Sequence, residues 1–191
     1  MRVNRFYTLT ILLLVVLLTA CTKHRTYTSS IIGFQFSHAN NSGRTPRVSS
    51  ADTLPAKAYA ITMTQLGLIT GHDDGSDVET ENNYNVSNRP QRISITILND
   101  YDTIHPAGTL LNEYFNLLKD TVSYELTGLG NSYLYPAFDF HGRANDQDTL
   151  TSTSWLVLMH PPKAPGSYSF AINVVLEDSV RLFDTLHIYL K

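Results

Sequence analysis

Gly166-Ser167-Tyr168-Ser169-Phe170-Ala171-Ile172-Asn173-Val174-Val175-Leu176, followed by Glu177-Asp178-Ser179 and a returning run from Leu182 to Leu190, decides the fold. Tyr168, Phe170, Ile172, Val174 and Leu176 alternate with Ser169, Ala171, Asn173 and Val175. That period of two puts the large side chains on one face of a strand. Glu177, Asp178 and Ser179 carry turn chemistry. Leu186, Ile188 and Leu190 then fall on one face of the return, with Thr185, His187 and Tyr189 on the other. The stretch predicts a hairpin of two long strands that ends the chain.

The same alternation recurs upstream. Ile32, Phe34 and Phe36 share one predicted face, as do Tyr59, Ile61 and Met63, and Ile93, Ile95 and Ile97. Trp155 to Met159 is nearly continuous in apolar residues, which predicts a strand covered on both faces. One segment changes period. Within residues 109–119, Leu110, Leu111, Tyr114, Phe115 and Leu118 stand at i, i+3, i+4 spacing. Thr109 suits an N-cap, Glu113 the first turn and Lys119 the last. These residues predict a short amphipathic helix crossing between sheets. Residues 41–56, 65–90 and 129–148 read as irregular, and loops of the latter two lengths are usually functional or mobile. No repeat of fixed period appears, which excludes solenoids and propellers.

About seven strands with turn signals predict an all-β sandwich. Composition agrees: Ser and Thr total 37 of 191 residues, and 10% are aromatic. With 42% hydrophobic residues the chain can build a packed core. The net charge of −3 argues against a nucleic-acid partner, whose recognition rests on neutralising phosphates. One cysteine excludes an intrachain disulfide and a multi-thiolate zinc site.

That cysteine closes a distinct N-terminal segment. Arg2 and Arg5 form a basic region, Ile11 to Leu18 an apolar run too short to span a bilayer, and Thr19-Ala20 the small residues before a cleavage point. Leu18-Thr19-Ala20-Cys21 resembles a bacterial lipobox. The resemblance implies that residues 1–20 are a lipoprotein signal peptide, and that Cys21 carries diacylglycerol and an N-acyl chain. Several acyl chains would hold the protein firmly on a membrane, where one holds it only marginally. Residues 21–30, with Lys23, His24 and Arg25, read as a polar tether, and residues 31–191 as one sandwich domain. Without residues 1–20 the chain has 12 bases against 17 acids, a formal charge of −5.

Pro165-Gly166-Ser167-Tyr168-Ser169-Phe170 resembles the start of the penultimate strand of immunoglobulin-like domains. Tyr168 stands where a tyrosine corner would sit, and Phe170 where antibody domains have their second cysteine. The resemblance covers residues 155–191. Together with the lipobox and tether, it makes the chain similar to the small lipoproteins of Bacteroidota.

Three patterns carry candidate chemistry. Thr53, Thr103, Thr121, Thr149, Ser179 and Thr185 each follow an Asp and precede an aliphatic residue. These six triplets resemble the O-glycosylation sequon of secreted Bacteroidota proteins. An Asp that ends a turn before a β-branched residue yields the same triplet. Asp73, Asp74, Asp77 and Glu79 surround Gly75 and offer hard oxygen ligands for Ca²⁺, at spacings unlike an EF-hand. A solvated loop tip collects the same residues. Tyr133, Tyr135, Phe138 and Phe140 flank Pro136 and could stack on sugar rings, anchor a partner, or cap an open end of the sandwich.

No nucleophile-elbow, zincin or phosphate-loop motif is present. His105 and His160 each precede a proline, which places them in turns or extended chain. The expected function is a non-catalytic binding or assembly module, without an obligate cofactor, on a lipid-anchored envelope protein. Its partner would be an envelope protein or a glycan. A structural fimbrial or adhesin subunit, and a glycan-active hydrolase with paired carboxylates, are the alternatives. Residues after Cys21 lack an acidic cluster, which the lipoprotein resemblance ties to an outer-membrane location facing the periplasm, with the cell surface as the alternative.

Overall fold

The computed structural model describes residues 25–72, 82–118, 126–128 and 149–191. In these residues the protein is an all-β sandwich. Its strands are β1 (Arg25–Asn40), β2 (Arg47–Val48), β3 (Thr53–Leu54), β4 (Tyr59–His72), β5 (Asn82–Val86), β6 (Pro90–Ile97), β7 (Phe115–Leu118), β8 (Leu126–Gly128), β9 (Thr149–Leu158), β10 (Gly166–Leu176) and β11 (Arg181–Leu190). One sheet has the order β2-β1-β4-β9-β7-β8, with β5 also paired to β1. The other has the order β3-β11-β10-β6. No helix among the described residues is long and apolar enough to cross a membrane.

The C-terminal hairpin forms as its alternation predicts. Register runs from Gly166 opposite Leu190 to Val175 opposite Arg181. Phe170, Ile172, Val174, Leu176, Ile188 and Leu190 are buried between the sheets. Ile93, Ile95 and Ile97 of β6 and Tyr59, Ile61 and Met63 of β4 complete the two inner faces. The apolar run in β9 is covered on both sides. Leu156 and Leu158 join the main core, while Val157 packs with Ala39, Ala60 and Leu118 on the opposite face.

Three expectations are corrected. The helix expected over residues 109–119 is absent from the described residues 109–118: a 3-10 turn at Asn112–Tyr114 leads into β7. Pairing Phe115 with Leu158 and Leu118 with Trp155 satisfies the backbone and buries Phe115, Leu117 and Leu118. A lone helix of this length is marginal in water, so the sheet prevails over the local pattern. Next, Ile31 and Gly33 oppose Gly67 and Leu66 consecutively, so Ile32 is an extra bulged residue. The bulge turns Ile31 inward and leaves Ile32 55% exposed, on the opposite side to Phe34 and Phe36. Finally, strand structure reaches further than expected at two places. β1 begins at Arg25, inside the segment read as tether, and β4 and β5 occupy much of residues 65–90. β-branched residues such as Thr28, Ile69 and Val86 fit that pairing.

Three asparagines splice strands with their carboxamides, which present a donor and an acceptor as a peptide unit does. Asn88 accepts from Ile31 N at 2.6 Å and donates to Ile31 O at 3.0 Å. Asn99 accepts from Ser169 N and donates to Ser167 O, both at 2.8 Å. Asn112, only 1% exposed, accepts from Ile95 N at 2.8 Å and donates to Ile93 O at 2.9 Å.

Candidate functional site

β1 ends, and β4, β7 and β10 begin, at one end of the sandwich, because Asn40 pairs with Tyr59, Phe115 with Leu158 and Gly166 with Leu190. Arg25 lies at the other end of a 16-residue strand, roughly 50 Å away at strand rise. We call the end remote from Arg25 the distal end. It collects residues 41–58, 98–114 and 159–165 with Lys191. Val48, Leu98, Ile104, Leu110, Met159 and Tyr189 are exposed large apolar residues in or beside these segments. Ile104, at 75%, is the most exposed. Six of the ten exposed large apolar side chains among the described residues lie toward this end, while Ile32, Leu68, Val180 and Phe183 lie elsewhere; apolar surface concentrated in this way suits an interaction surface.

Residues 98–114 are held by their own polar chemistry. A positive φ of 87° at Gly108 turns the chain so that its N–H reaches Ile97 O at 2.7 Å. Asp102 Oδ1 accepts from Ile104 N and His105 N, each at 2.9 Å, and from His105 Nδ1 at 2.8 Å. Desolvation pushes the Asp102 carboxyl up, but these bonds together hold it below the usual carboxylate range. The closed turn presents Thr103 and Ile104 at its tip, both exposed.

Behind the tip lies an aromatic cluster. Tyr101 packs edge-on to Tyr114 and tilted against Tyr168, each at 5.5 Å between centroids. Tyr114 also packs against His105 at 4.9 Å and His160 at 5.2 Å. Tyr101 Oη donates to His160 O at 2.6 Å. Tyr168 Oη donates to Ala164 O, four residues upstream, at 2.8 Å. Desolvation, first, and the Asp102 charge, second or later, raise the phenols of Tyr101, Tyr114 and Tyr168. All three are therefore neutral donors at physiological pH. Tyr114 Oη lies 3.4 Å from His105 Nδ1 and 3.2 Å from Nε2. Being nearly equidistant from the two nitrogens, it is not in line with either lone pair. Asp102, His105 and Tyr114 thus lack the in-line chain of a proton relay, and their contacts brace the loop.

A groove of about 290 Å³ opens beside this cluster. Pro55, Pro161, Pro162 and Pro165 supply most of its apolar lining. Lys57, Lys163 and Lys191 are also part of the lining.

One further contact joins the two sheets at this end. His38 of β1 has Nδ1 3.1 Å from the hydroxyl of buried Tyr59 and lies near the backbone of His187 in β11. Burial lowers the His38 pKa; the His187 backbone and Asp52 pull it back upward, and the His187 ring pushes it down.

Among the described residues, the Ser and Thr of the Asp-led triplets are not brought together. Thr53 is exposed in β3, Thr103 is exposed at the turn tip, and Ser179 is exposed in the β10–β11 turn with φ 66°. Thr149 and Thr185 are half-buried in β9 and β11. In two of the triplets the Asp closes a turn onto the third residue: Asp102 onto Ile104 N, and Asp178 onto Val180 N at 3.1 Å. Cys21, Asp73, Asp74, Asp77, Glu79, Thr121, Tyr133, Tyr135, Phe138 and Phe140 lie outside the described residues. Among the described residues, no group of three His, Cys, Asp or Glu is placed to hold a metal ion. The distal groove and the asparagine splices were missed in the sequence. The run Pro161-Pro162-Lys163-Ala164-Pro165 was the available signal for the groove.

No protein-family model matches the chain, and no curated protein matches it in sequence. Among solved structures it is similar to one titled BspA_C_mut, at 8% identity and a TM-score of 0.29. That alignment covers 82% of this chain and 46% of the other, so the chain spans about half the length of that structure. A likeness this distant carries no argument about function.

Proposed function

We propose that the protein is a non-catalytic binding module, anchored through lipidated Cys21 to the periplasmic side of the outer membrane, and that it meets its partner through the distal end. The observation that carries this reading is that six of the ten exposed large apolar side chains among the described residues lie at the end remote from Arg25, with Ile104 at the tip of a loop braced from behind. A braced surface loses little conformational freedom on binding, so its contacts convert more fully into affinity. The lipobox-like residues 18–21 support the anchor, and the Tyr168 corner supports an immunoglobulin-like relationship for the sandwich. Cys21 precedes β1 by only a few residues, so an anchor there puts the membrane at the near end and the loops far from it. Two experiments test the reading. Cys21→Ser is expected to move the protein out of the membrane fraction and to abolish labelling by a palmitate analogue; unchanged fractionation would refute the anchor. A photo-crosslinker at position 104 in intact cells is expected to capture an envelope partner; capture of nothing would refute the distal site.

A further inference from the structure

We propose that the distal groove binds an acidic peptide segment, with an apolar side chain seated between its prolines and carboxylates reaching its lysines. This deepens the reading of the distal end as the binding surface and rests on it. Charge carries the choice of occupant. Three lysines contribute to the lining and no Asp or Glu does, in a chain whose net charge is −3. Among the described residues none of the three lysines is in an ion pair. The local charge is therefore opposite in sign to that of the molecule, and unpaired among the described residues.

The walls are preformed. Ala58 N bonds Pro55 O at 2.9 Å, Ala56 N bonds Lys191 O at 2.9 Å, and Lys191 N bonds Leu54 O at 3.0 Å. The opposite wall is pinned by the two buried tyrosines, Tyr101 to His160 O and Tyr168 to Ala164 O. Proline adds fixed φ and no N–H donor, so these walls offer apolar contact and little hydrogen bonding. Such a floor selects an apolar side chain, and the lysines select the charge beside it. A volume near 290 Å³ is at the small end for a ligand pocket and suits one side chain of a peptide better than a cofactor. A peptide is favoured over an anionic membrane because the groove lies at the far end of β1 from the proposed anchor, roughly 50 Å along the strand.

The test uses the protein in detergent and fluorescein-labelled peptides. The probes are Glu-Glu-Trp-Glu-Glu, the same peptide with Gln for Glu, and the same with Ala for Trp. Fluorescence anisotropy is expected to show saturable binding of the first, weakening with salt, and at least about tenfold weaker binding of each of the other two. Replacing Lys57, Lys163 and Lys191 with Ala together is expected to cost about tenfold or more for the first peptide, from three exposed ion pairs each worth a factor of about two to five. All three side chains are exposed, so the variant retains its core. Equal binding of the Glu and Gln peptides, unchanged binding by the triple variant, or no binding would overturn the proposal. Lysine-dependent capture by phosphatidylglycerol vesicles without peptide binding would overturn it in favour of a lipid surface. Crosslinking through position 104 in cells, with no acidic-peptide binding, would leave the distal end as the binding surface and refute the groove alone.

Discussion

Replacing Asn112 tests whether the 98–114 loop is locked to the sandwich by a side chain that replaces backbone. The chain from Gly108 runs along the free edge of β6. Gly108 N and Thr109 O bond Ile97, and Leu111 N bonds Ile95 O. The backbone then departs into the 3-10 turn, and the Asn112 carboxamide takes the next two positions of the ladder, Ile95 N and Ile93 O. Asn112→Ala strands one buried donor and one buried acceptor, each costing about 1–3 kcal/mol, so a loss of roughly 2–6 kcal/mol is expected. Asn112→Asp gives a sharper result. An ionised carboxylate still accepts from Ile95 N but faces Ile93 O with no proton to donate. A protonated one has an O–H and restores both bonds. The folded state therefore favours the proton and raises the pKa of the introduced carboxyl above its unfolded value of about 3.9. The deficit of this variant against wild type should be largest above the raised pKa and should shrink as pH falls toward about 4. Urea unfolding followed by fluorescence of Trp155, the single tryptophan, measures both. A cost below about 1 kcal/mol for Asn112→Ala would refute the splice, as would a pH-independent deficit for Asn112→Asp.

Three other outcomes follow from the same contacts. Lowering pH through the His38 titration should lower stability, because burial disfavours the charged ring. The folded pKa lies below the ordinary value of 6.5, so this contribution is present above about 6.5 and is lost as pH falls through the folded value; His38→Gln should flatten that part of the profile. Tyr168→Phe should cost about 1 kcal/mol in urea unfolding and should also weaken the acidic peptide, because the bond to Ala164 O pins one groove wall. Gln65 is 1% exposed, and neither amide atom has a hydrogen-bond partner among the described residues. Gln65→Met should therefore stabilise the protein by about 1–2 kcal/mol, and a loss of stability would show that the amide is satisfied in solution.

Alternation served well where a strand is covered on one face, as in β6, β10 and β11, because a period of two then maps directly onto burial. It served poorly in three physical situations. Leu111, Phe115 and Leu118 stand three and four apart, which suits a helix face. They are buried instead by a turn followed by a strand, and only the pairing partner in β9 decides between the two. Ile32 follows the alternating pattern, yet the bulge, set by the opposing strand β4, reverses its face. The groove was illegible for a different reason. Pro55 and Pro161 are more than a hundred residues apart, and they meet because β11 brings Leu190 and Lys191 between their loops. Asn88, Asn99 and Asn112 have the composition of ordinary turn residues. Their splicing role depends on strand edges that no local window contains. His105 and His160 were correctly placed beside turns by the prolines that follow them, but their shared packing on Tyr114 is a tertiary fact.

The central claim is that the end remote from Arg25 is the binding end. The most direct measurement places a photo-crosslinker singly at Ile104 and Met159 at the distal end, and at Leu68 and Val180 toward the other end, all four being exposed apolar positions. Intact cells are irradiated and adducts are identified by mass. The account predicts a common adduct from positions 104 and 159 that is absent from positions 68 and 180. The same adduct from all four positions, or from 68 and 180 alone, would contradict it.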